Sequence, residues 1–535
     1  MNHVVPIFLS GAARAQTGER TLGVFEALLP IRFVSGEGAP TDTATAIRIE
    51  GPTDDEERPG KGRKTAFTVV HGADVPNESR AVELDVKFCD DVDVPTPFRG
   101  RTVRASLSAA WKPLSMGAGD KPLATTAHGP IWSVSEEGPV KHIRSALPLP
   151  RIAEGEGFID VFNGDCFLPT LILLEFLKRS CAMEAYHRAP LRAAFMVDDP
   201  NLHWPRYGFV DYRDVATHAS RENYHVSFAM IPMDTWFTHR PTAALLRGEA
   251  QRLSLLVHGN NHAREELAKK YPDAERAALL HQAIRRIERF EGKAGLRVHR
   301  VMVPPHGACS SKMLAALPKA GFEAACISTN SLRAYNGSEA WTATAGYAPS
   351  EVIAGCPVLP RWGLTGSVRN NVLIAAYLGQ ALIFRGHHQD LKDGLEVFDD
   401  LARMINGLGP VRWSNLSSLC RLNYQWRMDG TVCRLRPYGR AVEFDVPPQA
   451  TSLCIDDVPR RFESQIPWTV TTEAGFVHDV VAGDSFELAD RTGRTLLVSR
   501  PVVSRPALSP AAPRTGPKLI LRRLLAEARD RLLVG

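Results

Sequence analysis

At 535 residues, with 44% apolar and 23% charged residues, the chain is too long for one ordinary core, and two to four globular domains are expected. A formal charge of only +5, with basic residues scattered except at the extreme C-terminus, gives no sign of a nucleic-acid surface. Nine cysteines, irregularly spaced and without a Cys-x-x-Cys pair, argue against a disulfide framework or a zinc knuckle and for a reducing compartment.

The opening segment, residues 1–16, ends near an Ala-Arg-Ala tripeptide that looks like a signal-peptidase site. It has no Lys or Arg before a short apolar stretch broken by Pro6, so no cleaved leader is expected. A cytoplasmic location follows, with membrane association left open for the C-terminal helix. Residues 167–183 are the most apolar run, but Pro169, Glu175, Lys178 and Arg179 interrupt it short of a membrane span. Residues 1–150 hold strand-like runs at 45–50, 64–70, 81–88 and 101–111 between turn-rich loops, and predict a β-rich accessory domain.

From about 155 the texture changes. Strands are predicted at 191–197, 224–232, 253–257, 298–304, 322–328, 381–386 and 411–417. Helical patterns alternate with them at 211–222, 240–252, 273–292, 310–321, 370–379 and 394–407. Such alternation demands parallel strands with crossover helices. With seven or so strands and no Gly-rich phosphate loop, residues 155–425 are expected to form an α/β fold, a (β/α) barrel of about seven strands. Its chemistry then belongs at the C-terminal strand ends. Residues 428–502 return to short strands and predict a small β-sandwich. Residues 503–535 combine a Pro-rich linker with an amphipathic basic helix: Leu521, Leu524, Leu525, Ala528 and Leu532 recur at helical steps among Lys518, Arg522, Arg523, Arg529 and Arg531. That helix is expected either to pack on the protein's own surface or to reach an anionic membrane face or a partner's groove.

Two apolar runs end on concentrated polar chemistry. Residues 193–197 lead into Asp198 and Asp199, and residues 253–257 lead into His258, with His262 four positions on. An Asp with two neutral imidazoles makes a three-ligand set for one divalent metal ion, Zn²⁺ first with Co²⁺ or Mn²⁺ as substitutes, and leaves a position for water. A second carboxylate can take that water's proton. Two further strands end polar, one at His306 and one at His387 and His388 followed by Asp390. Trp204, Tyr207, Trp362 and Trp413 lie near strand ends, where they stack on sugar rings or simply pack.

These residues resemble the motifs of the polysaccharide deacetylases, the family-4 carbohydrate esterases, over roughly residues 155–425. Met196-Val197-Asp198-Asp199-Pro200 is similar to the Thr-Phe-Asp-Asp-Gly motif. His258-Gly259-Asn260-Asn261-His262 is similar to His-Ser/Thr-x-x-His. Val303-Pro304-Pro305-His306-Gly307 partly matches Arg-x-Pro-aromatic-Gly, and residues 382–388 match an apolar strand ending in a catalytic His. The resemblance implies Asp198 as catalytic base and Asp199, His258 and His262 as metal ligands. It implies His388, or else His387, as the acid that protonates the leaving group; Asp390 is placed to hold the His388 ring. Substrate contacts are then expected from His306, Arg361, Trp204 and Trp413.

The chain departs from the pattern in three places. Val303 stands where the family has the arginine that steadies the base, with Arg361 as a candidate substitute. Pro200 replaces the glycine, and the Asp-Trp motif has no counterpart. The implied activity is metal-dependent removal of acyl (acetyl) groups from an amino sugar or polysaccharide, with a carbohydrate as the partner and no nucleic acid. The alternative is a non-catalytic carbohydrate-binding or scaffold protein on a decayed barrel.

Overall fold

A computed structural model describes residues 4–35, 47–50, 65–69, 81–108, 111–137, 140–181, 186–340, 342–364, 368–456, 467–472, 475, 477–488, 495–499 and 516–532. The loop expected at 51–64 and nearly all of the Pro-rich linker lie outside these residues. The chain forms two compact units. One comprises 1–185 with 342–347 and 369–377, the other 186–341, 348–368 and 378–535.

The first unit holds a nine-stranded mixed sheet. Its opening strand Val5–Leu9 pairs in parallel with Ile31–Ser35. Parallel neighbours need a crossover, here the helices Gly11–Thr17 and Glu19–Leu28, which were not foreseen in a β-rich segment. Ser10 starts the first of these by accepting a hydrogen bond from the Ala13 N–H.

The second unit is built on a ten-stranded, curled, half-barrel sheet. In chain order its main strands are β1 (Arg192–Asp198), β2 (Val226–Met230), β3 (Leu253–His258), β4 (Val298–Val303), β5 (Ala324–Cys326), β6 (Cys356–Leu359) and β7 (Leu382–Gly386). They lie in the order β6-β5-β4-β3-β2-β1-β7 and pair in parallel throughout. Two short pieces extend the sheet, Glu351–Ile353 beside β6 and Trp362–Gly363 beside β7. No pairing among the described residues closes the ring. Strand β6 was not anticipated. The strand expected at 411–417 contributes only Arg412 and Trp413 before the helix Leu416–Arg421 begins.

Every residue of β1, β2 and β3 is buried, as parallel strands covered on both faces require. One face forms a layer of Ala194, Met196, Leu256, Val301, Val303 and Leu359 against Leu416 and Leu419. Side chains alternate along a strand, so Asp198 and His258 continue this face at the strand ends. The crossover helices have clear stops and starts. Asp211 caps Tyr212–Glu222 by accepting from the Arg213 and Asp214 N–H groups, and Gly295 ends Asp273–Ala294 at φ 61°.

The remainder of this unit contains two small sheets sharing one core. Leu435, Leu453 and Ile455 of one meet Val442, Phe444, Val470 and Val498 of the other. The helix Pro517–Leu532 completes it. No helix among the described residues is long and apolar enough to cross a membrane.

Candidate metal centre

The carboxylates stand at the point where β1 leaves the sheet. Asp198 is its last residue; Asp199, at φ 78°, turns the chain, and its N–H still bonds to the Ala229 carbonyl at 3.1 Å. A non-glycine residue at positive φ costs roughly 1–3 kcal/mol. His262 and His306 also sit at positive φ, so three residues around one site are held in this strained region.

Asp199 Oδ1 lies 3.3 Å from His258 Nε2 and 3.1 Å from His262 Nε2. One donor atom from each of the three falls within 4.8 Å of the others. His258 Nδ1 donates to the Val303 carbonyl at 2.9 Å, so Nε2 is the nitrogen that faces Asp199, donating to it when protonated and able to ligate a cation when neutral. Burial works to raise the Asp199 pKa, but the hydrogen bonds and charge of His258 and His262 outweigh it and hold the carboxyl well below its usual range. Burial likewise pushes His258 down, while Asp199 and Asp198 more than compensate and raise it. An Asp with two imidazoles whose ring nitrogens converge is a donor set that fits Zn²⁺ or a similar ion.

Asp198 is the drier carboxylate, 2% exposed. Its Oδ2 accepts from Arg361 Nη1 at 3.2 Å, and Arg361 is itself buried. Arg361 follows β6 by two residues and shares the inward parity of Leu359. Its guanidinium thus reaches Asp198 from the β6 side, while Val303, inward at the end of β4, has no polar group to offer. Asp198 Oδ1 is buried and has no hydrogen-bond partner among the described residues. An acceptor in that state marks the place for a donor from outside the chain, such as water.

Two groups unforeseen in the sequence hold the histidine loop. Glu266, 1% exposed, accepts from the N–H groups of Asn260 at 2.6 Å, Asn261 at 3.0 Å and His262 at 3.0 Å. Arg286 donates to the side-chain oxygens of Asn260 at 2.6 Å and Asn261 at 2.8 Å. The sequence signal available was an acidic residue four places after the second His, too common to single out.

The other expected site residues fare differently. His306 joins the cluster, its ring 5.1 Å from that of His262. His388 is buried against Phe209 and Tyr207, and Gly208 permits this, since a Cβ there would lie 2.2 Å from His388 Nδ1. His387 is half-buried, and Asp390 accepts from its backbone N–H at 2.8 Å. Trp204 lies on the loop after β1 and is half exposed. Trp413 must be corrected. It pairs with Ala193 near the start of β1, five residues or about 16 Å from Asp198. There it packs on Phe195 and donates to Asn406 at 2.8 Å, a structural position rather than a substrate contact.

No protein-family model and no curated protein matches the chain. Among solved structures it is similar to Agd3, described as a novel carbohydrate deacetylase, at 11% identity and a TM-score of 0.48, covering 93% of this chain and 99% of that one. It is also similar to a family 4 carbohydrate esterase from Streptomyces lividans in complex with acetate, at 12% identity and a TM-score of 0.27, covering 42% of this chain and 92% of that one. A third is a mutant of a CE4 family pseudoenzyme with restored enzymatic activity, at 11% identity and a TM-score of 0.27, covering 44% of this chain and 68% of that one. Likenesses this distant are compatible with a divergent relation to carbohydrate deacetylases and carry no argument about activity.

Proposed function

We propose that this chain is a metal-dependent hydrolase that removes acyl groups, acetyl above all, from an amino sugar or polysaccharide. The observation that supports it best is the division of labour between the two carboxylates. Asp199 converges with two imidazoles, while Asp198 beside it is held by Arg361 with one oxygen unpaired.

A divalent ion held by Asp199, His258 and His262 would supply Lewis acidity to the reacting carbonyl and lower the pKa of a bound water. Asp198 is the base that takes a proton from the water attacking the acyl carbon. Arg361, 3.2 Å from Asp198 Oδ2, keeps that carboxylate aimed. Collapse of the tetrahedral intermediate breaks the C–N or C–O bond, and the leaving amine or alcohol takes a proton from His388 or His387. The products are a carboxylate and the free sugar amine or hydroxyl. The competing reading is a non-catalytic carbohydrate-binding or scaffold protein on a decayed barrel; the contact of Arg361 with Asp198 favours the hydrolase over it.

The test is metal analysis of protein offered Zn²⁺, Co²⁺ and Mn²⁺ in turn, with acetate release from acetylated glucosamine oligomers. One equivalent bound and acetate released supports the reading. Protein that takes up none of the three metals overturns it.

A further inference from the structure

The helix Pro517–Leu532 lies over the rim of the site on its polar edge. Arg523 forms a two-point pair with Asp234, Nε to Oδ1 at 3.3 Å and Nη2 to Oδ2. One turn on, Glu527 Oε1 lies 2.9 Å from His203 Nδ1, and His203 Nε2 meets the Asp234 carbonyl at 2.7 Å. Arg523, Asp234 and His203 are all nearly buried. An amphipathic helix that merely packs on its own protein buries the apolar stripe. Here Ile520, Leu521, Leu524 and Leu525 remain about half exposed or more.

Part of that stripe faces other uncovered apolar groups across a gap. Leu524 and Ala528 look toward Trp204, Trp236 and Phe237 around a cavity of about 380 Å³. Ile520 and Leu524 share a second, of about 450 Å³, with Met233 and Trp236. Both volumes lie in the range of roughly 300–1,000 Å³ usual for small-molecule sites. Trp236 is 65% exposed, Trp204 49% and Phe237 47%, a concentration of bare aromatics on one rim.

The walls come from the loop that carries Asp199 and from the loop beside the histidine segment. His203 and Trp204 follow Asp199 on the loop after β1. Met233, Trp236 and Phe237 belong to the loop after β2, and the Met233 N–H bonds to the carbonyl of Asn260, between the two metal-site histidines, at 3.0 Å. Arg286, which holds Asn260 and Asn261, borders the larger cavity. The charged groups at this rim are already engaged, Arg523 with Asp234, Glu527 with His203 and Arg286 with the Asn260 and Asn261 oxygens. They suit an apolar guest better than a run of sugar hydroxyls, which needs polar groups free to turn toward it.

We propose that this double cavity is a chain-binding subsite, taking an alkyl chain of an amphiphilic sugar whose head group reaches the metal centre. Its place in the reaction rests on the deacylation reading; its existence does not. The chain sits either on the amide nitrogen, as the acyl group removed, or on the sugar as an aglycone.

Calorimetric titration of the full-length protein with hexyl, octyl and decyl β-glucosides, and with the matching N-acyl glucosamines, all below their micellar concentrations, tests it. Affinity should rise about fourfold per added methylene while the chain still fits, and the series with the rise identifies where the chain is carried. Leu524→Asp and Trp236→Ala, both at exposed positions, should flatten the dependence while metal content stays at the wild-type level. A flat wild-type series, or a slope unchanged in both variants, overturns the subsite. A slope with no carboxylate released, neither acetate from acetylated sugars nor the fatty acid from the N-acyl glucosamines, keeps the subsite and removes the deacylation reading. If the slope is flat but wild-type protein sediments with phosphatidylglycerol vesicles and Leu524→Asp does not, the face is a membrane-docking surface and the subsite is overturned.

Discussion

Asp198 and Arg361 form a buried pair 3.2 Å apart, with both side chains under 5% exposed. Removing one partner of such a pair leaves the other charged and dry, which costs roughly 3–5 kcal/mol. Arg361→Met should therefore lower both stability and kcat, with KM nearly unchanged because Arg361 acts through Asp198. The informative partner variant is Arg361→Met with Val303→Arg. Val303 shares the inward face, so an arginine there approaches Asp198 from β4. Recovery of at least tenfold in kcat over the single variant is expected, and no recovery would mean that geometry at β6 alone serves. Asp198→Asn is a separate test. The amide is nearly isosteric but cannot take a proton, so metal content should persist while turnover falls about 10²- to 10⁴-fold. Near-normal turnover would take Asp198 out of the mechanism.

The segment 258–262 is where local backbone decides whether three ligands meet. Gly259 sits at φ 62°, and a Cβ there would lie 2.4 Å from Glu266 Oε1 and 2.6 Å from Pro305 Cγ. Gly259→Ala should displace Glu266 from three backbone N–H groups and swing His262 away, weakening metal affinity tenfold or more. Gly292→Ala, with nothing near its Cβ, should leave metal affinity unchanged. Equilibrium competition with a chromophoric chelator measures both. The same segment shows what was legible in advance. A five-residue apolar run ending on Asp-Asp or on His reads as a strand delivering ligands, because burial of the strand and exposure of its end are both written in residue type. Glu266 was not legible, since it satisfies backbone N–H groups that carry no residue-specific mark. Strand β6, four residues with Pro357 inside, was too short to recognise, so Arg361 had no strand to stand on and remained a guess. Trp413 shows the opposite failure. Its strand was foreseen, but register put it at the other end of β1, and register depends on partners far away in the chain.

At the scale of the whole second unit, a buried polar cluster under the sheet links stability to pH. His225, 1% exposed, precedes β2; its Nδ1 donates to the Gln251 carbonyl at 2.8 Å, and its Nε2 accepts from Ser254 Oγ at 2.8 Å, with Ser227 joined to Ser254. Burial drives its pKa down to about 4, the Gln251 bond opposing. Burial also brings His299 to about 4, with nearby arginines and His225 adding to the shift. In the unfolded chain both titrate near 6.5. Between about 6.5 and 4 the unfolded state therefore binds more protons than the folded one. Stability is complete above 6.5 and falls as pH drops toward 4, by up to roughly 3 kcal/mol for His225 alone. Urea midpoints at pH 7.0, 5.5 and 4.5 should decline in that order for the wild type. His258, raised rather than lowered, has the opposite slope, so the contribution of His225 must be read as a difference between proteins. His225→Gln should start less stable at pH 7.0, because the replacement cannot serve both partners, by about 1–3 kcal/mol. It should then lose less than the wild type on acidification, so that the two midpoints converge toward pH 4.5. Midpoints that fall in parallel would show that the acid sensitivity of this unit arises elsewhere than in the His225 cluster.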